Sequence, residues 1–299
     1  MRIGIVLLPE FDWVVDRERW TRAEEYGFDH AWTYDHLAWR TLADGPWHAT
    51  IPTLVAAALS TERIRLGTLV TTPNYRHPVP LAKDLMTLDV ISGGRLDLAV
   101  GAGAPGYDAS VLGQPDLGPR DRHDRFEEFT AVLDRLFSQR VTDWSGRWYQ
   151  VTRARMIPGP AQSPRPPILI AANGPRGMRF AAESFRRAGD GWVTVGMPGA
   201  SGVGDDEWWA ETGRLAGRMD DVLAAGPGPG AGFVRLLNME SRIETTTSIE
   251  HLRDHLGRAA ALGFSDVTLA WPRSSDPYRG DVRLLDRIAE DLPDLRRIG

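Results

Sequence analysis

The feature that most constrains this chain is a repeated alternation. Short apolar runs rich in Val, Ile and Leu are separated by amphipathic stretches along the whole sequence. Strands are expected at 2–8, 30–34, 64–71, 96–100, 168–172, 192–195, 233–239 and 266–270. Continuous apolar runs of this kind suit parallel strands buried on both faces. Helices are expected at 17–26, 52–60, 81–91, 122–137 and 249–262, with another through Met178 and Phe180. Pro52 suits a first helical position, and Gly93-Gly94 and Gly263 suit helix stops. In 122–137, Phe126, Phe129, Leu133, Leu136 and Phe137 recur at helical spacing.

Eight strand–helix units in 299 residues predict an α/β chain, a TIM (β/α)8 barrel forming a single domain over 1–299. Insertions are expected after strands 2, 4 and 6, at 37–50, 104–120 and 196–206. A further stretch, 141–167, precedes strand five, and a Gly/Pro run lies at 226–232. Loops that follow strands form the catalytic face of a barrel. A doubly wound sheet is the other architecture the pattern allows.

Composition narrows the chemistry. A net charge of −5 disfavours a non-specific nucleic-acid binder. There is no cysteine, so disulfides, thiolate metal sites, iron–sulfur clusters and cysteine nucleophiles are excluded. Lys83 is the one lysine among 35 basic residues, so Schiff-base or P-loop chemistry would rest on it alone. The apolar run at the N-terminus stops at Pro9-Glu10, and no later run reaches membrane-spanning length. A cytoplasmic protein without membrane partners is expected.

Four segments at strand ends carry candidate chemistry. Gly101-Ala102-Gly103-Ala104-Pro105-Gly106 matches G-x-G-x-x-G. Pro105 and the following glycines do not open a helix, so the Rossmann reading fails. A glycine-rich strand end approached closely by a ligand is expected, with a plain tight turn as the other reading. Asn173-Gly174-Pro175-Arg176-Gly177 leads from a strand into a helix, where backbone N–H groups can receive an anion, helped by Arg176 and Arg179. The same residues also read as an ordinary helix cap. Tyr34-Asp35-His36 ends strand two. His36 can exchange a proton near neutral pH, and Asp35 can orient it or meet a cofactor edge; a structural His beside a buried Asp is the other reading. Trp39, Trp47 and His48 follow and can wall an aromatic ligand. The fourth segment, 71–78, gathers hydroxyl, amide and guanidinium groups, Thr72 among them, or is simply a polar loop. His251 and His255 share a helix face without the Glu of H-E-x-x-H, so they read as a solvated pair rather than metal ligands. No metal site is expected, and no G-x-S-x-G elbow is present.

Together these segments resemble the bacterial luciferase-like monooxygenase superfamily, the flavin- and deazaflavin-dependent (β/α)8 oxidoreductases. RIGIVLLP, AEEYGFDHAWTYDH, RFEEFTAVLDRLF, ILIAANGPRGMRFAAE and ALGFSDVTLAW carry the resemblance. The stretch from Thr87 to Gly103, TLDVISGGRLDLAVGAG, is its most specific part, and 196–230 matches least. The resemblance implies a ring in the barrel mouth, backed by a non-prolyl cis peptide at Leu69-Val70. It implies Gly101, Ala102 and Gly103 against the ring or ribityl chain, Asn173 to Gly177 on the phosphate, and His36 beside the reactive ring carbon. Trp39, Trp47, His48 and Tyr107 then belong to the substrate side. The Ala-Ala-x-Gly-Pro loop favours coenzyme F420, with FMN as the alternative. The acid that follows the strand-four glycines in the sugar-phosphate dehydrogenases is replaced by Ala104, which speaks against glucose 6-phosphate oxidation. Hydride delivery to a C=C or C=N bond of a small organic substrate is the leading expectation. An FMN monooxygenase served by a separate reductase and a non-catalytic flavin-binding protein are the alternatives. The resemblance also implies a homodimer.

Overall fold

The structure, a computed structural model, describes residues 1–197, 202–226, 228–240, 242 and 248–298. The strands are β1 (Arg2–Val6), β2 (His30–Thr33), β3 (Arg65–Thr71), β4 (Leu96–Gly101), β5 (Val141–Ser145), β6 (Gln150–Arg155), β7 (Ile168–Ala171), β8 (Gly191–Thr194), β9 (Val234–Asn238) and β10 (Asp266–Ala270). The helices are α1 (Trp13–Glu25), α2 (Thr50–Ser60), α3 (Pro78–Ile91), α4 (Tyr107–Val111), α5 (Pro119–Ser138), α6 (Pro175–Ser184), α7 (Asp205–Ala225), α8 (Ile249–Ala261) and α9 (Arg283–Leu295). Eight strands close into a barrel in the order β1-β10-β9-β8-β7-β4-β3-β2, and β5 and β6 form a separate two-stranded sheet. The expected (β/α)8 barrel is thus present. The doubly wound alternative fails because the strand order closes on itself. Among the described residues no helix is long and apolar enough to cross a membrane.

One compact unit comprises Pro9–Glu18 and Thr33–Ile168. In it β3 runs parallel to β4, and their register shifts between Thr68 and Thr71. Thr50 opens α2, two residues before the expected Pro52, and its buried hydroxyl donates to Tyr34 O at 2.8 Å. Helix α5 buries Phe126, Phe129, Leu133, Leu136 and Phe137, the face its spacing predicts. The β5–β6 hairpin was not expected within 141–167. Its strands are mostly exposed, so the apolar signal is thin, and Glu128 stabilises the turn instead. The Glu128 carboxylate accepts from Trp148 N (3.0 Å), Tyr149 N (2.9 Å) and Trp144 Nε1 (3.1 Å).

The other unit comprises Met1–Leu8, Arg19–Trp32 and Leu169–Gly299. There β1 lies between β10 and β2, and β8 between β7 and β9, all parallel. Trp192 of β8 is fully buried and stacks on Phe264 at 5.7 Å. The expected insertion at 196–206 is partly outside the described residues, at 198–201, as is residue 227 of the Gly/Pro run. Helices α7 and α9 were not expected. The first turn of α7 carries Asp205, Asp206 and Glu207, which complement the helix dipole, and the helix buries Trp208 and Trp209. The solvated reading of the α8 histidine pair is corrected for one member. His255 is fully buried, and its Nε2 lies 3.0 Å from the Asp205 carboxylate. Burial holds this imidazole below its usual range, against the opposing pull of Asp205.

Backbone contact sets the identity of Gly191. A Cβ there would run into the backbone carbonyl of Val234 on β9, which cannot move without opening the ladder. Gly191→Ala should destabilise the protein by about 2–3 kcal/mol, read as a lower midpoint in urea unfolding with an unchanged slope.

Candidate active site

The end of β2 is built around a buried carboxylate. Asp35 is fully buried and accepts hydrogen bonds from Thr71 Oγ1 at 2.8 Å, from the Tyr75 hydroxyl, and from Arg76 through Nη2 (2.6 Å) and Nε (3.2 Å). Burial pushes its carboxyl up. The Arg76 charge and the bonds from Arg76, Tyr75 and Thr71 outweigh that and hold it below the usual carboxylate range. Burial, then the Asp35 charge, pushes the Tyr75 phenol up.

His36 has a different carboxylate. Its Nδ1 lies 2.6 Å from Asp108 Oδ2, and Asp108 Oδ1 accepts from Leu37 N at 2.8 Å. The expectation that Asp35 orients His36 is therefore corrected: Asp35 is committed to Arg76, Tyr75 and Thr71, and Asp108 of α4 meets the imidazole. The His36 side chain keeps 27% of its surface exposed, against 7% for Asp108. Trp47 Nε1 donates to His36 O at 2.8 Å, which fixes the backbone at the same residue.

The aromatic residues after β2 divide. Trp39 is buried, stacks on Trp47 at 6.3 Å and leans on Tyr34 at 5.1 Å. It is a packing element beneath Trp47. His48 is exposed and, with Phe11, Trp13, Asp16, Pro52 and Thr53, lines a pocket of about 240 Å³. Tyr107 opens α4 and is half-exposed.

The ends of β3 and β4 carry the expected ring-side residues. The Leu69-Val70 peptide is cis and non-prolyl, as the resemblance implies. Leu69 and Thr72 are buried and Val70 is partly exposed; Thr72 Oγ1 accepts from Asn74 N at 3.3 Å. Gly101 closes β4 and is buried, while Ala102 and Gly103 are partly exposed. Gly103 has φ +71°, and a Cβ there would sit 2.5 Å from Asn74 Nδ2. That amide donates to Ala104 O at 2.8 Å, and its oxygen accepts from Arg125 Nη2 at 2.7 Å. The close approach that requires glycine is thus to Asn74, the amide of the 71–78 segment.

In the other unit, β7 leads into α6 through Asn173 and Gly174. Trp192 Nε1 donates to Ala172 O (2.6 Å), Thr194 Oγ1 to Asn173 Oδ1 (2.6 Å), and Asn173 Nδ2 to Gly196 O (3.2 Å). Asn173 therefore holds the loop in place. Gly174 is the N-cap of α6 and supplies no side-chain cap, and Pro175 follows. A Cβ on Gly174 would meet nothing within 4 Å. Gly177 is buried and Arg176 is exposed. An open approach to a helix start whose N-cap residue contributes no side-chain cap fits a phosphate. Among the described residues, no group of three or more His, Asp or Glu could hold a metal ion.

The Asp35 cluster is testable alone. Asp35→Asn leaves the Arg76 guanidinium without its counter-charge and should cost about 3–5 kcal/mol in unfolding free energy. A native carboxyl held low contributes stability at neutral pH that is lost as pH falls through the carboxylate range. Stability of the variant should therefore fall less than wild type between neutral and acidic pH, as read by urea unfolding at several pH values.

Residues 1–225 match the luciferase-like monooxygenase family. An F420-dependent glucose-6-phosphate dehydrogenase of Beutenbergia cavernae is 36% identical over 179 residues, 59% of this chain and 51% of its own. An F420-dependent hydroxymycolic acid dehydrogenase of Mycobacterium tuberculosis is 33% identical over 175 residues, 57% of this chain and 46% of its own. A 4-hydroxyprotoasukamycin monooxygenase of Streptomyces nodosus subsp. asukaensis is 31% identical over 215 residues, 66% and 54% of the two chains. The chain spans about half the length of the curated relatives it matches. Among solved structures, an F420-dependent secondary alcohol dehydrogenase in complex with an F420-acetone adduct superimposes with a TM-score of 0.75 at 20% identity, covering 99% of both chains. That likeness is one of fold. With three quarters of its length matched, the chain belongs to the luciferase-like monooxygenase family.

Proposed function

We propose that the chain is a coenzyme F420-dependent oxidoreductase that transfers hydride between the deazaflavin and a small organic substrate. The observation that carries this reading is the set of F420-dependent dehydrogenases at 33% and 36% identity. The uncapped start of α6 and the β3 and β4 ends support it as places for the coenzyme's phosphate and ring. When bound, the coenzyme supplies the hydride donor and acceptor. The residues of this chain do the rest. Gly174, Arg176 and Gly177 receive the phosphate, with Asn173 fixing their loop. Leu69, Val70, Gly101, Ala102 and Gly103 bound the ring. His36 exchanges a proton with the substrate atom next to the one that gains or loses hydride, and Trp47 walls the substrate side.

Ala104 stands where the resemblance puts an acid in the sugar-phosphate dehydrogenases. We therefore assign reduction of a C=C or C=N bond ahead of sugar oxidation. The 4-hydroxyprotoasukamycin monooxygenase among the relatives favours one second reading, an FMN monooxygenase fed by a separate reductase.

Titration with oxidised and reduced F420 and with FMN separates the two. F420 should bind and FMN should not; tight FMN binding without deazaflavin binding overturns the assignment. His36→Ala should bind F420 as wild type does and lose about 10²–10⁴-fold in turnover. Turnover at the parental rate would remove His36 from the mechanism.

A further inference from the structure

We infer that Asp108 is the positioning residue for His36, selecting the imidazole tautomer that leaves Nε2 as its proton port. The inference rests on the proton-exchange role proposed for His36 and adds the group that makes that role directional. A carboxylate only accepts hydrogen bonds. With Asp108 Oδ2 at 2.6 Å, the hydrogen of the neutral ring sits on Nδ1, and the lone pair on Nε2. The carboxylate cannot easily turn away. Its other oxygen is held by Leu37 N at 2.8 Å, and the side chain is almost buried. The imidazole is steadied from behind as well, because Trp47 Nε1 holds His36 O. Asp108 thus grips two successive residues of the β2 loop, one through its side chain and one through its backbone.

Proton flow follows from that arrangement. If bound coenzyme accepted hydride from a substrate C–H, the substrate's O–H or N–H proton would pass to His36 Nε2. If reduced coenzyme supplied hydride to one substrate atom, the His36 imidazolium would return a proton from Nε2 to its neighbour. In both directions Asp108 faces a ring that gains or carries positive charge. The Ser-His-Asp triad gives the scale: there, replacing the buried Asp by Asn leaves the geometry intact and lowers kcat about 10⁴-fold through the wrong tautomer.

Asp108→Asn makes a sharp test because an amide has one oxygen. Leu37 N needs that oxygen, so the amide NH₂ turns to His36 and demands a lone pair at Nδ1. The tautomer should invert. The readout is the ¹⁵N chemical shifts of both ring nitrogens in the coenzyme-free protein at alkaline pH. His36 is identified among the seven histidines by the signal lost in His36→Gln. Wild type should show a pyrrole-like Nδ1 and a pyridine-like Nε2, and Asp108→Asn the reverse. In F420-loaded enzyme the same variant should keep KM and coenzyme affinity and lose at least 10²-fold in kcat. If Asp108→Asn does not fold, Asp108→Ala should give a mixture of tautomers. A pyridine-like Nδ1 in wild type, or shifts unchanged in the variants, overturns the inference. Because the shifts are read without coenzyme, the tautomer can stand while turnover of His36→Ala at the parental rate refutes the role of His36, and the two failures are distinct.

Discussion

The Asp35 carboxylate is the constraint on which the candidate site depends. It sits at the end of β2 with no exposed surface, and every hydrogen bond it receives comes from the end of β3 or the loop beyond it. Burying a charge is costly unless it is paired and hydrogen-bonded. Here the pairing with Arg76 is bidentate, and hydroxyls from Thr71 and Tyr75 complete the coordination. That ties two strand ends together at fixed spacing. His36 is the next residue, so its backbone inherits the placement. The register shift between Thr68 and Thr71 falls at the same strand end, bringing the Thr71 hydroxyl to Asp35.

Much of the fold was legible because it is written in local pattern. The barrel strands are apolar runs with few polar interruptions, and eight strand–helix units favoured a barrel over a doubly wound sheet, the closed strand order then deciding between them. What escaped lay where local pattern is weak. The β5–β6 strands expose most of their residues, and their turn is organised by Glu128 reaching in from α5. Helix α7 begins in three acids and was lost in a segment that resembled nothing strongly. The burial of His255 was unreadable for a related reason. Its partner Asp205 is 50 residues away, and the helix period alone placed the histidine beside the apolar face rather than in it.

The site was legible in residue type and less so in partnership. His36, the strand-four glycines and the Asn173 to Gly177 loop are all strand-end residues, which sequence order can locate. Their partners are set by long-range contact. Asp108 is 72 residues from His36, and Asn74 is 30 residues from Ala104. One signal was available: a lone acid in the first turn of a short helix, within the loop after strand four. Nothing local said that it faced a histidine rather than solvent. Asn173 shows the same. Its side-chain amide bonds Thr194 and Gly196, long-range partners that the sequence does not announce.

A common logic links the two carboxylates. Asp35 and Asp108 both have their oxygens filled by protein donors, so neither needs a ligand to fix its orientation. Such groups cost little reorganisation when a reaction begins, which is the condition for electrostatic preorganisation. Their partners differ in kind. Asp35 faces a permanent cation and is structural: any proton it took up would leave the Arg76 charge uncompensated. Asp108 faces an imidazole, whose charge can come and go with a proton. A carboxylate directly after the strand-four glycines would occupy position 104, where this chain has Ala. Here the carboxylate comes four residues later, from a helix whose Asp reaches back to the β2 loop. The carboxylate that meets the imidazole in this chain is thus supplied by the first turn of α4.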